Sequence, residues 1–467
     1  MGFFFVLAVV AGFVWRNAVT GELGSDHSAW NVLILTLDTT RADRLGAYGF
    51  AGGDTPNIDR VASEGVLFEQ AESAAPLTLP AHASLFTGRF PFQHGVRDNG
   101  AVLDPAELTL AQVLQARGFR TAAFAASYVL DARWGLARGF DVYNGPFDPR
   151  RRDDLHLDGL RRPADEVVDY ALAWLDTASR SRFFGWLHFY DAHMPYDRPE
   201  GGANQADGYQ GAIAFMDSQI GRVLGFLEAR HLLERTLVVL VGDHGESLGE
   251  HGERTHGLFV YESVTRVPLI IQAPLSRMRE RRVPGVVRSV DMMPTVLDLL
   301  GIPIPPSVAG TTLLARMTGA THEAELETYS ETMYPRYHFG WSELRAVRAG
   351  GFKLIAAPRP ELYDLDTDPA EEHNLYQSRP AVAAALVARL RALESGDTGR
   401  VPRNEAIDSD AAARLAALGY VAGSAKGREP RALLADPKDK IDLYQLITGD
   451  RDRDVSAAPD RSGHPRN

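Results

Sequence analysis

The stretch NVLILTLDTTRADRLGAYG, residues 31–49, is where the fold is decided. Residues 31–37 form a nearly continuous apolar, β-rich run, as expected of a strand buried on both faces of a sheet. The run breaks off at Asp38, and in an open α/β sheet functional groups collect where buried strands end at their carboxyl edge. TLVVLV (236–241) repeats the pattern and leads into Gly242 and the pair Asp243-His244. FFGWLHF (183–189) and VPLIIQA (267–273) are two further candidate strands. Helical periodicity fills the intervals. Within 212–231, Ile213, Met216, Ile220, Val223, Leu224 and Leu227 keep one face, with Asp217, Gln219 and Arg222 opposite. ELTLAQVLQARG (107–118) reads as a helix stopped at Gly118, and FRTAAFAAS (119–127) as the strand after it. Strands alternating with helices predict an α/β sheet protein.

From about residue 325 the texture changes. RAVRAGGFKLIAA (345–357) predicts a hairpin, ELYDLDTDPAEEHNLY (361–376) an acidic turn, and 380–394 a short helix, together a smaller C-terminal α+β subdomain. The expected layout is 1–29 as signal peptide or N-terminal membrane anchor and linker, 30–325 as the catalytic domain, 326–396 as the smaller unit, and 397–467 as a polar, partly disordered tail. GFFFVLAVVAGFVW (2–15) is one apolar run closed by Arg16. As a helix it would span roughly 21 Å against about 30 Å of bilayer hydrocarbon, which suits a signal-peptide core better than a full crossing. Export to a periplasmic or other extracytoplasmic compartment is expected, with membrane association through residues 2–15 if the segment is retained.

The chain has 467 residues, a formal net charge of −12, and 45% hydrophobic and 24% charged side chains. That is an ordinary globular composition. An acidic balance with no concentrated basic run argues against a nucleic-acid partner. Cysteine is absent. Disulfides, cysteine–zinc sites, thiol nucleophiles and iron–sulfur clusters are thereby excluded.

One strand-end Asp is commonly a cap, but two such acids with an adjacent His point to a metal site with hard-to-borderline donors. In PLTLPAHASLFTGRFP (76–91), Pro80 suits the first turn of a helix and Gly88 its stop. Thr78 then stands at the N-terminal end of that helix, where unpaired N–H groups and the dipole favour an anion. A threonine hydroxyl is a poor nucleophile until a base or a metal lowers its pKa. Thr78 therefore gains a role only if Asp38 and Asp243 bring a cation to it.

These segments, with TPNIDRVASEGVLFEQA (55–71), GDHGESLGEHG (242–252), HGLFVYESVTRVPLII (256–271) and KLI (353–355) followed by ELYDLDTDPAEEHNL (361–375), succeed one another in the order seen in sulfatases. Over roughly residues 30–395 the chain resembles the sulfatase family of the alkaline-phosphatase-like superfamily. The resemblance implies a large mixed sheet sandwiched by helices. It makes Asp38, Asp243 and His244 metal ligands, and puts Thr78 in the nucleophile position, also in contact with the metal. His193, in HFYDAHMPY, matches a histidine that touches the substrate's sulfuryl or phosphoryl oxygens. His256, in THGLFVYES, stands where relatives carry a Lys or His serving the same anion or the leaving group. Asn99, in HGVRDNG, matches a polar pocket residue. DAAARLAALGYVAG (410–423) and DPKDKIDLYQLI (436–447) are similar to the lead-in to tetratricopeptide repeats in some bacterial relatives.

Three departures from the family pattern matter. Sulfatases generally carry Cys-x-Pro-x-Arg, or Ser in place of Cys, and oxidise that residue to formylglycine; this chain reads Thr78-Leu79-Pro80-Ala81-His82. Threonine bears a β-methyl, so its oxidation gives a ketone rather than an aldehyde. A threonine ester also lacks the second hydroxyl that expels sulfate by C–O cleavage, so the adduct must be resolved by attack at phosphorus or sulfur. Next, Asp38 is followed by Thr39 where many relatives carry a second acid. With His244 in the set, oxygen plus imidazole ligation suits Mn²⁺, Zn²⁺ or Fe²⁺ better than the alternative, Ca²⁺. The HFYDAH stretch lacks the Asp-x-x-x-His spacing of two-zinc members, so one divalent ion is expected. Finally, His82 replaces the family Arg and is expected to act as a base or oxyanion donor toward Thr78.

The combined expectation is a metal-dependent hydrolase or transferase acting on a phosphate, phosphonate or sulfate ester, small or linked to a glycan or lipid. Threonine members of the superfamily include phosphodiesterases and phosphoethanolamine transferases. Arg336 and His338, in ETMYPRYHFGWSEL (331–344), are expected to line the pocket. The competing class is a catalytically silent protein that binds an anionic glycan or envelope lipid.

Overall fold

The computed structural model describes residues 29–145, 160–196, 205–275, 278, 281–319, 325–397, 409–418 and 434–447. The apolar segment 2–15 and the end of the tail, from 448, lie outside the described residues.

The apolar runs become the middle of an eight-stranded sheet. Its strands are β1 (Asn31–Leu37), β2 (Val66–Glu72), β3 (Arg120–Phe124), β4 (Val142–Asn144), β5 (Phe183–Phe189), β6 (Thr236–Gly242), β7 (Arg266–Gln272) and β8 (Arg281–Arg288). They lie in the order β4-β3-β5-β1-β6-β7-β2-β8. β1 pairs in parallel with both β5 and β6, whereas β7 runs against its neighbours β6 and β2. Every residue of β1, β5 and β6 is buried. Side-chain alternation divides them between two cores. Val32, Ile34, Phe184, Trp186, Leu237 and Val239 face one, and Leu33, Leu35, Phe183, Leu187, Val238 and Leu240 face the other.

Helices α1 (Pro56–Ser63), α3 (Ala164–Ala178) and α4 (Gln205–Ala229) cover the second core; α2 (Thr78–Thr87) and α5 (Met292–Leu299) cover the first. Apolar cover on both faces is why these strands carry no polar alternation. α4 starts earlier than its periodicity indicated, at Gln205. α2 begins at Thr78 itself and stops at Gly88, whose φ of 63° is left-handed and costs glycine nothing.

The smaller unit is an antiparallel sheet of β9 (Thr328–Thr332), β10 (Leu344–Ala349), β11 (Phe352–Ala356) and β12 (Glu361–Asp364). α6 (Tyr334–Phe339) connects β9 to β10, and α7 (Pro380–Glu394) covers the sheet with Ala383, Leu386 and Leu390. Buried charges tie it to the main body. Arg348 lies 2.7 Å from Glu72, and Lys353 Nζ lies 2.9 Å from Glu262 and 3.0 Å from Glu371. Those acids hold the fully buried Lys353 ammonium charged despite the cost of its desolvation.

Two stretches of the polar tail are docked on this body. α8 (Ser409–Ala417) buries Ala411 and Leu415, and its Arg414, 1% exposed, lies over the Tyr128 ring. Residues 434–447 bury Asp436, Pro437 and Tyr444. A polar average hid these few well-spaced anchors. Among the described residues no helix is long and apolar enough to cross a membrane.

Candidate active site

β5, β1 and β6 are adjacent parallel strands, so the residues that end them converge at one edge of the sheet. Asp38 follows β1, Asp243 and His244 follow β6, and His188 sits near the end of β5, in register with Thr36. α2 crosses the same edge and brings Thr78. Asp38, Asp243 and His244 are fully buried and place one ligand atom each within 4.8 Å of one another. Thr78 Oγ1 lies 3.4 Å from His244 Nε2 and stands beside the Asp38 carboxylate.

Hydrogen bonds orient each donor atom. His244 Nδ1–H donates to the Gly245 carbonyl at 3.0 Å, which leaves a lone pair on Nε2, the atom beside Thr78. Asp243 Oδ1 accepts from the backbone N–H groups of Thr39 at 3.2 Å and His244 at 2.7 Å. His188 Nδ1 accepts from Ala126 N–H at 3.1 Å, so its Nε2 carries the proton and donates to Asp38 Oδ2 at 3.0 Å. Two carboxylate oxygens remain, Asp38 Oδ1 and Asp243 Oδ2, buried and without a hydrogen-bond partner.

Such orphaned oxygens are costly. Burial, reinforced by the neighbouring acids, pushes the Asp38 and Asp243 carboxyls well above the usual range. Burial pushes the His244 imidazole down. A divalent cation among these atoms would reverse the first effect and reinforce the second, because it favours ionised carboxylates and a neutral ring nitrogen. The donor set therefore fits one divalent ion.

A wall of imidazoles stands beside the cluster. The His256 ring centre lies 4.5 Å from that of His244 and 4.9 Å from that of His193. His193 stacks on Tyr190 at 4.2 Å and donates Nδ1–H to the Met194 carbonyl at 2.6 Å. His256 donates Nδ1–H to Glu246 Oε1 at 2.8 Å. Burial lowers His256 to about 3 and also pushes His193 down, so both rings are neutral, while burial pushes the Glu246 carboxyl up. Asn99 Oδ1 accepts from Leu79 N–H at 2.9 Å in the first turn of α2, and its buried Nδ2 has no hydrogen-bond partner.

Other expected residues are placed differently. His82 Nδ1–H donates to the Thr78 carbonyl at 2.8 Å, so its Nε2 accepts, from the Thr36 hydroxyl at 3.0 Å. Trp186 Nε1–H holds that hydroxyl from the other side at 2.9 Å. Both His82 nitrogens are thus engaged away from the Thr78 hydroxyl, at the start of α2, with Nδ1 also 3.5 Å from Asp243 Oδ2. Helical side chains lean toward the preceding turn, which carries an i+4 imidazole to a backbone carbonyl. Arg336 pairs with Glu343 at 2.6 Å, and His338 with Asp98 at 2.7 Å. The α6 residue that reaches the His256 loop is Tyr334, whose ring lies 3.7 Å from where a Cβ on Gly257 would stand.

His188 and Glu246 are the participants that the sequence reading passed over. A lone imidazole in the otherwise apolar run 183–189 was the available signal for the first. Glu246 lay inside GDHGES, three residues from Asp243.

Residues 30–302 match the family model described as Sulfatase, and residues 249–395 that of the C-terminal region of N-sulphoglucosamine sulphohydrolase. The chain belongs to the sulfatase family, and its fold is the alkaline-phosphatase-like one of that family's solved members. The delta 4,5-hexuronate-2-O-sulfatase of Bacteroides thetaiotaomicron is 24% identical over 441 residues, covering 80% of this chain and 90% of that protein. The phosphonate monoester hydrolase of Agrobacterium radiobacter superposes with a TM-score of 0.67 at 22% identity, covering 79% of this chain and 96% of that one. That of Silicibacter pomeroyi gives 0.63 at 22% identity, covering 81% and 97%. As a family member with this set of buried donors, the protein is an ester hydrolase.

Proposed function

We propose that the protein cleaves anionic esters with Thr78 as an unmodified nucleophile, and that it prefers phosphate and phosphonate esters to sulfate esters. One observation carries this reading: Thr78 Oγ1 stands among Asp38, Asp243 and His244 in a chain that has no cysteine. Two relatives bear the name phosphonate monoester hydrolase, which supports phosphorus chemistry on this fold. The hexuronate sulfatase supports a glycan-linked ester as the second choice. The apolar segment 2–15 supports placing the reaction outside the cytoplasm.

Asp38, Asp243, His244 and Thr78 would hold one divalent cation, with Mn²⁺, Zn²⁺ or Fe²⁺ favoured by the mixed oxygen and imidazole donors. When bound, that ion supplies Lewis-acid charge, which makes a contacting hydroxyl more acidic and offsets charge on an anionic ester. Thr78 Oγ bonds to phosphorus as the ester P–O bond breaks, its own proton passing to solvent. His193 and the Asn99 amide stabilise the equatorial oxygens. Glu246 keeps His256 Nδ1 protonated, so Nε2 is the atom that exchanges protons. It takes up the proton that Thr78 releases to solvent and hands it to the leaving alcohol, then takes one from the water that later displaces Thr78 from phosphorus and returns it to the Thr78 oxygen. No second hydroxyl on Thr78 is needed, because both displacements occur at phosphorus.

Purified protein supplied with Mn²⁺ or Zn²⁺ should turn over bis(p-nitrophenyl) phosphate and p-nitrophenyl phenylphosphonate faster than p-nitrophenyl sulfate. Thr78→Ala should abolish turnover, and intact mass should show Thr78 unmodified. Turnover of the sulfate with none at phosphorus would overturn the preference. No turnover together with no metal-dependent labelling of Thr78 would leave the silent binding protein.

A further inference from the structure

We propose that the C-terminal segment 434–447 is a strap that positions His256, with Tyr444 as its anchor. The inference rests on the reading that His256 serves the leaving oxygen. His256 sits in an irregular loop in which Gly249, His251, Gly252 and Gly257 have φ of 116°, 52°, 82° and 101°. Apart from one short 3₁₀ turn at Glu250–Gly252, the loop has no helix or ladder of its own to stiffen it, so its shape depends on the bonds that clasp it.

The inner clasp lies within the loop itself. Ser247 N–H donates to the Thr255 carbonyl at 2.7 Å, and Glu253 Oε1 accepts from Leu258 N–H at 2.7 Å. The outer clasp is the strap. Gln445 Nε2 donates to the Gly252 carbonyl at 2.5 Å, and Ile441 packs so closely that a Cβ on Gly252 would stand 3.0 Å from its Cγ1. Tyr444 is 6% exposed, and its hydroxyl stands beside Thr255 and Tyr334. Its ring meets Phe339 edge-on at 5.7 Å.

The other end of the strap is fixed to the small sheet. Ala435 O accepts from Ser342 N–H at 2.8 Å, Asp436 Oδ2 accepts from Arg359 N–H at 2.9 Å, and Lys438 Nζ donates to the Arg359 carbonyl at 2.8 Å. One short segment therefore joins the His256 loop, α6 and the β-hairpin side of the smaller unit. Thr255 immediately precedes His256. Tyr444 holds the chain on one side of the imidazole while Glu246 holds Nδ1 on the other. Tyr444 touches no reacting atom; it is a positioning residue.

The test compares Tyr444→Phe, Tyr444→Ala and a chain ending at 433, each also combined with His256→Ala. Amide exchange across 252–258, Mn²⁺ affinity, and kcat and KM for bis(p-nitrophenyl) phosphate are measured. Tyr444→Ala should speed exchange at 252–258 by about 10-fold or more and lower kcat by up to about 100-fold, the scale of a misplaced catalytic group, with KM and Mn²⁺ affinity little changed. Tyr444→Phe should fall between, and Tyr444→Ala should cost nothing further once His256 is gone. Unchanged exchange at 252–258 in Tyr444→Ala and in the truncated chain overturns the strap. An equal loss of kcat in the His256→Ala background overturns action through His256. If His256→Ala alone keeps full kcat, the catalytic reading of His256 fails, and faster exchange still supports the strap.

Discussion

Replacing His188 with alanine should weaken divalent-metal binding by about 10- to 100-fold, although His188 is not itself a ligand in this assignment. The expectation follows from two hydrogen bonds that leave the imidazole one permitted tautomer. Ala126 N–H occupies Nδ1 at 3.1 Å, so Nε2–H must point at Asp38 Oδ2, 3.0 Å away. That bond turns the carboxylate so that Oδ1 is the oxygen left unpartnered beside Asp243 and His244. Without it, Asp38 is free to rotate and the cation must reorder it. A 10- to 100-fold loss corresponds to about 1.4–2.8 kcal/mol, within the range of one hydrogen bond to a charged group. The metal-free protein should also lose about 2–5 kcal/mol, because Ala126 N–H is left buried without an acceptor and the ring leaves a cavity. His188→Gln separates the two effects. Its amide can donate to Asp38 and accept from Ala126, so much of the metal affinity should return. Competition against a chromophoric chelator for Mn²⁺ and Zn²⁺ reads the affinity, and thermal melts of the metal-free protein read the stability. An alanine variant that binds both ions within about twofold of the parent would refute the positioning role.

Lys353→Met should destabilise the protein by about 3–5 kcal/mol in urea, since it strips Glu371 of its buried cation and leaves Glu262 only Arg348; a loss under about 1 kcal/mol would contradict the ion-pair reading. Glu253 is buried and pushed up to about 8 from an ordinary 4.5. The native state thus holds this proton more tightly than the unfolded chain. Its contribution is complete below about 4.5 and is lost as pH rises toward 8, by up to about 1.4 kcal/mol per unit. Glu253→Gln should flatten the stability profile within that window, and an unchanged difference between pH 5 and pH 8 would count against it. A Cβ on Gly245 would stand 2.1 Å from the Ser263 carbonyl oxygen, so Gly245→Ala must shift the loop after His244. Metal affinity should drop by about 10-fold or more with far-ultraviolet circular dichroism preserved, and an unchanged affinity would show that the loop tolerates displacement.

The central strands were legible because burial on both faces forbids polar alternation: 31–37, 183–189 and 236–242 carry the signal in their composition. β8 was not read as a strand. Its sequence RRVPGVVR carries arginines, Pro284 and Gly285, which an edge strand accepts because one side needs no ladder partner. β2 was also missed, since Glu69 and Gln70 interrupt its apolar run near that edge. The metal-ligand candidates were legible because they sit directly after strands, where chain position fixes spatial position. Residues whose role depends on a partner were not. His82 was expected as a base or oxyanion donor and Arg336 as a pocket residue, yet one bonds a carbonyl four residues back and the other a glutamate seven residues on. His188 acquires its meaning only because β5 lies beside β1, an order that no local pattern encodes.

The charge arrangement bears on whether the site evolved to recognise an anion or to react with one. A pocket built solely to hold an anionic ester would place guanidinium or ammonium groups at its centre, where they bind oxygens directly. Here the centre holds Asp38, Asp243 and Glu246, whose carboxyls are all pushed up by burial. The imidazoles around them, His82, His188, His193, His244 and His256, are all pushed down by it. Arg41, which donates to the Glu246 carbonyl, spends its charge on Asp43 and Glu250. Such an interior repels an anion and draws a cation, and it favours an anionic ester only once a divalent ion is in place. Anion affinity would then be borrowed from that ion, at the same point where Thr78 Oγ1 stands. A hydroxyl there is what the proposed displacement at phosphorus requires.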